Sequence, residues 1–301
     1  MVVNHSSDMT SIRSGKLQFL LALRLFTFPN FNQDDIVNIT REGDAYIDKE
    51  FLHLTNSSQD QRPGGIGRAT YYQPFLLREN TTGKLADFTT NFTFSIYAPN
   101  YANLTWGAGD GLAFFLAPDR SELNNSDGFA LGLPLYHQYP FVAVEFDIFK
   151  NYEAIPNTNE TVDDPSEDHV GIDVNSVKSR IAVPWNGSIV NGQNNDVRIS
   201  YSSSTKNLSI AFTTFLMNGT KKMSYFSYTV DLNNVLPDWV IVGFSASTGE
   251  AAYAIFKIVS WSFTSTPLVD ENARDNTPVS VLSAPTPSPM ASSSPTSRLQ
   301  Q

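Results

Sequence analysis

Between about Phe26 and Phe263 the apolar positions fall in short runs, and clusters of Asn, Gly, Asp, Pro and Ser separate one run from the next. The runs are "FTTNFTFSIYA", "GLAFFLA", "FVAVEFDIF", "HVGIDVNSV", "VRISYSSS", "NLSIAFTTF", "YFSYTVDL" and "WVIVGFSAS". Each has strand length and is built from Phe, Tyr, Val, Ile and Thr, side chains that suit a pleated, half-buried surface. Long segments of helical period are missing. Short strands at this spacing, with turn residues between them, predict an all-β protein: an antiparallel β-sandwich or jelly roll, residues 25–266. Past Thr266 the pattern stops. "SAPTPSPMASSSPTS" cannot bury a core, so 267–301 is expected to be a disordered Pro/Ser/Thr stalk. Residues 1–24 carry Arg13 and Lys16 ahead of "LQFLLALRLF", the order of a secretory signal, but Arg24 interrupts the run and no small-residue cleavage site follows. A first strand is the other reading of this run. No stretch approaches the roughly 20 apolar residues of a membrane span.

A strand sends alternate side chains to opposite faces. In "FVAVEFDIFKN" this puts Val142, Val144, Phe146 and Ile148 on one face, and Ala143, Glu145 and Asp147 on the other. Two carboxylates side by side raise each other's pKa unless a positive group neutralises them, and a divalent cation does so most strongly. Phe149 and Asn151 follow the strand, and a polar loop leads to Asp164 and His169 in "DDPSEDHVGIDV". Glutamate, two aspartates and a histidine form a mixed oxygen and nitrogen set suited to a transition ion such as Mn²⁺; carboxylate, amide and carbonyl oxygens suit Ca²⁺.

A second segment, "WGAGDGLAFFLAP", places glycines around Asp110 and has the look of a nucleotide-binding loop. A dinucleotide fingerprint needs a helix after its glycines, and a phosphate loop needs a Lys-Ser or Lys-Thr pair. Here a short run of strand formers follows, closed by Pro118. The nucleotide reading fails, which leaves Asp110 at a strand edge for another kind of ligand.

Charge narrows the partners. Lys and Arg number 20 against 30 Asp and Glu, a net charge of -10 that repels nucleic acid and anionic membrane surfaces. Cysteine is absent, so disulfides and thiolate metal sites are excluded. Asn-X-Ser/Thr triplets begin at Asn4, Asn38, Asn56, Asn80, Asn91, Asn103, Asn124, Asn159, Asn186, Asn207 and Asn218, a density that points to the secretory pathway and an extracellular glycoprotein.

The motifs "GDGLAFFLAP", "VAVEFDIFKN", "DPSEDHVGIDVNSV" and "VGFSASTG…SWSF" resemble the legume lectin family, the L-type, concanavalin-like β-sandwich lectins of plants, over about Thr27 to Thr266. The resemblance implies Mn²⁺ ligation by Glu145, Asp147, Asp164 and His169. It implies Ca²⁺ ligation by Asp147, Asn151, Asp164 and the carbonyl of Phe149. It implies sugar contacts from Asp110, Asn151, the ring of Phe149 and a backbone N–H at Phe129, with Glu250 and Ala251 in a variable loop that tunes the monosaccharide. A fairly short variable loop is that of mannose/glucose binders. It further implies a cis peptide before Asp110, here after Gly109, glycans or glycoproteins as partners, and a homodimer or tetramer formed through the flat back sheet. The chemistry is consistent: an ionised aspartate accepts hydrogen bonds from neighbouring hydroxyls, an asparagine amide donates one, and a ring covers the apolar face of a sugar. Two features depart from the family pattern, the long "YEAIPNTNETVD" segment before Asp164 and "GFALGLP", which lacks the usual double glycine.

Two other functions fit parts of the chain. Glucanases share the sandwich, but their second strand glutamate would stand where Phe149 is, so an enzyme is not expected. "FPNFNQDDIVNITREGDAYID" and the stalk resemble the ectodomains of plant lectin receptor kinases, in which a membrane span and kinase follow; neither follows before Gln301.

Overall fold

The computed structural model describes residues 11–14, 17–22, 25–56, 64–98, 108–124, 128–134, 138–152, 161, 164, 165, 168–249 and 253–270. Two large antiparallel sheets carry the fold. The front sheet runs in the order Ile181–Pro184, His169–Val174, Val142–Asp147, Gly111–Pro118, Trp239–Ser247, Ile66–Tyr71 and Ile39–Gly43, with Phe75–Leu76 also paired to Trp239–Ser247. The back sheet runs Lys221–Thr229, Asn207–Phe215, Asn195–Ser202, Phe88–Tyr97, Ile255–Ser265, Phe51–His53 and Tyr46–Asp48, with Leu25–Phe28 on Ile255–Ser265. Helical structure among the described residues is limited to short 3₁₀ turns. The all-β expectation holds.

Alternation along each strand explains what lies between the sheets. Phe114, Phe146 and Phe244 point inward from the front sheet and meet Phe92, Phe94 and Trp261 from the back. Phe94 lies 4.7 Å from Phe146 and Phe92 lies 4.9 Å from Phe244, ring centre to ring centre, with Phe244 again 4.9 Å from Trp261. Tilted and edge-on rings at these separations add to the area they bury.

The front sheet is covered on its other face too. Ala113, Phe115, Ala143 and Ile241 form a second apolar cluster with Leu131, Leu133 and Phe141. That double burial is why "GLAFFLA" and "VAVEFD" read as almost unbroken apolar runs, as strands covered on both sides do. The back sheet alternates instead: Val197, Ile199 and Tyr201 are buried while Asp196 and Arg198 face solvent.

Ser11–Ser14, Leu17–Ala22 and Leu268–Asp270 form a separate three-stranded sheet. The run considered as a signal segment thus includes a strand, and strand structure continues past Thr266. Residues 271–301, where the rest of the stalk was expected, lie outside the described residues.

Candidate functional site

The acidic strand Val142–Asp147 is central in the front sheet, and antiparallel register decides its neighbours. Asp147 stands opposite His169 on one side and Gly111 on the other; Glu145 stands opposite Gly171 and Ala113. Alternation then delivers Val142, Val144, Phe146 and Ile148 to the core and leaves Glu145 and Asp147 on the outer face. One ligand atom each from Glu145, Asp147 and His169 lie within 4.8 Å of one another. All three residues are buried. Asp164 stands at the edge of this trio, its Oδ1 3.8 Å from His169 Nε2, while Glu145 Oε1 is 3.4 Å from the same nitrogen.

The chain after the strand folds back on these carboxylates. The Phe149 N–H donates to Asp147 Oδ1 at 2.6 Å, and the Asn151 N–H donates to Asp164 Oδ2 at 2.7 Å. Asn151 is buried and its amide lies 3.5 Å from the Phe149 carbonyl oxygen, while the Phe149 residue remains half-buried. The oxygen set inferred for Ca²⁺ is therefore gathered by two short backbone hydrogen bonds.

The electrostatics are severe. Burial, and then the charges of Glu145 and Asp164, hold the Asp147 carboxyl well above the ordinary aspartate range. Burial raises Asp164 as well, against the lowering effect of the Asn151 N–H and of His169. Among the described residues no lysine or arginine forms an ion pair with Glu145, Asp147 or Asp164; the contacts of Glu145 and Asp164 are to His169. Carboxylates buried in this way need a cation or protons. The donor set fits a cation, with oxygen and imidazole nitrogen on one side and carboxylate, amide and carbonyl oxygen on the other.

Two further residues belong to this cluster that sequence reasoning passed over. Asp173, fully buried, lies two residues beyond Gly171 on the same face as His169, and the Ser179 hydroxyl bridges the two carboxylates, donating its one proton to Glu145 Oε1 and standing 3.1 Å from Asp173 Oδ1. Burial, reinforced by Glu145, keeps the Asp173 carboxyl far above its usual range. The signal was available, because period two in "HVGIDV" places His169, Gly171 and Asp173 on one face. Gly171 is needed between them: a Cβ there would come within 1.9 Å of Ser179 Oγ and 2.3 Å of Glu145 Oε1.

Asp110 approaches from the neighbouring strand. The Gly109–Asp110 peptide is cis, the Asp110 N–H donates to the Ser247 carbonyl at 2.9 Å, and the Asp110 carbonyl accepts from the Ile148 N–H at 2.8 Å. Those two bonds tie it to the front sheet and to the residue next to Asp147. Its carboxylate lies directly over Gly128, so closely that a Cβ on that glycine would stand 1.4 Å from Oδ2, and a Cβ on Gly249 would stand 3.2 Å away. Phe129 follows Gly128 in a buried 3₁₀ turn and packs with Ala130 against Val177. Thus Asp110, Asn151, Gly128 and the carboxylate cluster share one end of the front sheet. Glu250 and Ala251 lie outside the described residues.

Comparison with known proteins adds four likenesses. Residues 23–279 match the model of the legume lectin domain. The lectin alpha chain of Lablab purpureus is 39% identical over 260 residues, which is 83% of this chain and 84% of that protein. Among solved structures, basic winged bean lectin with Tn-antigen superimposes with a TM-score of 0.69 at 36% identity, covering 81% of this chain and 99% of that one. Lectin I-B4 of Griffonia simplicifolia in its metal-free form gives a TM-score of 0.67 at 36% identity, with coverage of 81% and 99%.

Proposed function

The chain belongs to the legume lectin family, and from that premise we propose that its front-sheet end is a Ca²⁺- and Mn²⁺-dependent sugar site for mannose/glucose-type glycans on extracellular glycoproteins. As a member of the family it binds carbohydrate and is not an enzyme. The observation that carries the reading is the Asp110 carboxylate seated over Gly128 and Gly249, joined through Ile148 to the strand that bears the acidic cluster.

The residues divide by chemistry. Glu145, Asp147, Asp164 and His169 would hold Mn²⁺; Asp147, Asn151, Asp164 and the Phe149 carbonyl would hold Ca²⁺. The ions supply positive charge to carboxylates that are otherwise buried against one another, and so fix the loop from Asp147 to Asn151. Asp110 accepts hydrogen bonds from two neighbouring sugar hydroxyls, the Asn151 amide donates one, and the Phe149 ring covers a C–H face. The backbone N–H at Phe129 completes the set, and Glu250 and Ala251 are the residues proposed to tune which monosaccharide is preferred. A shallow site of this kind holds one monosaccharide at about 1 mM, or about -4 kcal/mol, so useful avidity needs several sites in one assembly, a homodimer or tetramer.

A glycan array probed with the protein, before and after chelation and again after restoring Ca²⁺ and Mn²⁺, tests the reading. Mannose- and glucose-terminated glycans should be retained with metal, lost on chelation and regained on restoration. Retention that ignores chelation would overturn the metal dependence, and retention confined to galactose-type glycans would overturn the sugar class.

A further inference from the structure

At one end of the back sheet a hollow of about 580 Å³ opens beside the turn between Asn207–Phe215 and Lys221–Thr229. Its apolar lining is Trp185, Ile189, Val190, Phe215, Leu216 and Met217. Three of these are unusually bare for their type: Val190 is 50% exposed, Leu216 47% and Met217 fully so. A patch of this kind on a secreted protein calls for something to cover it.

Its rim carries two acceptor triplets for N-linked glycosylation. Asn186-Gly187-Ser188 borders one bank and Asn218-Gly219-Thr220 the other, and both asparagines are exposed. In each, the side-chain carbonyl is already engaged by the backbone two residues on: the Ser188 N–H donates to Asn186 Oδ1 at 3.1 Å, and the Thr220 N–H donates to Asn218 Oδ1 at 3.0 Å. The carbonyl end of each amide is thereby anchored, and its nitrogen is the end left for modification. The banks are fixed to each other, since the Phe215 N–H donates to the Asn186 carbonyl at 2.9 Å. The floor is fixed as well, because Trp185 Nε1 donates to the Thr213 carbonyl at 2.9 Å.

We propose that this hollow is the seat of an N-linked glycan attached at its rim, on Asn186, Asn218 or both, whose innermost sugars lie with their C–H faces on Leu216, Met217 and Val190. Attachment joins Nδ2 to C1 of the first N-acetylglucosamine, breaks the bond from that carbon to the pyrophosphate of a lipid-linked donor, and releases the amide proton with the pyrophosphate. A covalent sugar suits the site because it is polar outward and presents apolar C–H faces inward, and because each asparagine is tethered within reach of the floor. The inference rests on the export of the chain, which is part of the reading above, and is independent of what the Asp110 site binds.

The full chain secreted from a eukaryotic host tests it in two steps. Peptide mass spectrometry should find glycan on at least one of the two asparagines. Peroxide oxidation then reports the seat: Met217 should oxidise several-fold more slowly, relative to Met223, in the glycosylated protein than after enzymatic removal of the sugars from the folded chain. The double variants Asn186→Gln/Asn218→Gln and Ser188→Ala/Thr220→Ala should both show the fast rate. Bare asparagines would overturn the proposal, as would equal Met217 rates before and after sugar removal. So would protection that grows with protein concentration and ignores the sugar, the outcome expected if a second copy covers the hollow.

Discussion

The space over Gly128 is taken by the carboxylate of Asp110, and the absence of a side chain there is what lets that aspartate sit where it does. Gly128→Ala would drive a methyl into Oδ2 and move the group, leaving the inferred metal ligands untouched. Sugar affinity should fall by at least about tenfold, the scale of one charge-assisted hydrogen bond lost, with circular dichroism and bound metal unchanged. Calorimetric titration with a monosaccharide alongside metal analysis reads both. Little of this was legible residue by residue. Asp110 stood out because a lone aspartate among glycines at a strand edge is chemically odd, and Glu145 and Asp147 because alternation forces them together. Asp173 was equally accessible by alternation, which puts it on the face of His169, but a single carboxylate in an apolar strand draws less notice than a pair; its register partner is Ala143, and the contact of Ser179 with both carboxylates shows that it belongs with Glu145.

At the scale of elements, the short hairpin Tyr46–Asp48 with Phe51–His53 closes one edge of the back sheet, and His53 is stacked on Tyr46 at 4.6 Å with the rings nearly parallel. Burial, with help from the Lys257 ammonium and against the opposing effect of Asp48, pushes the imidazole pKa down from 6.5 to about 4. The Lys49 charge works in the same direction as Lys257. The unfolded chain therefore takes up a proton that the folded hairpin refuses. Stability from this group is complete above 6.5 and falls as the pH drops toward about 4. His53→Phe keeps the stack and removes the proton, so its melting temperature should decline less than that of the parent over that interval, measured by calorimetry. Strand existence was largely readable in the sequence because Phe, Val and Ile recur at period two or in continuous runs. The split between the two patterns gained its meaning from the fold: continuous runs are front-sheet strands covered on both faces, and alternating ones are back-sheet strands with a wet face.

For the molecule as a whole, the acidic cluster sets a pH dependence that metal should reverse. With no ion bound, the folded Asp147, Asp164 and Asp173 keep protons that the unfolded chain releases above the ordinary 3.8. The metal-free fold therefore loses stability as pH rises from there through the raised values. On the proposal that the cluster holds Ca²⁺ and Mn²⁺, the ions take the deprotonated form, so each should stabilise by about 2.7 kcal/mol at a hundredfold excess over its Kd near pH 7.5, and the effect should shrink at about pH 5 as protons compete. Thermal melts with and without the ions at both pH values check this; an ion effect that does not change with pH would contradict it. The sequence by itself determined the strands, the sandwich class and the pairing of Glu145 with Asp147, because each follows from periodicity over a few neighbouring residues. Only the tertiary structure decided that His169 lies across from Asp147, that Asp110 reaches Gly128 and Gly249, and that the triplets beginning at Asn186 and Asn218 border one apolar hollow. Alternation fixes which face a side chain takes, whereas the partner it meets there depends on strand order and register, which are set by packing between segments far apart in the chain.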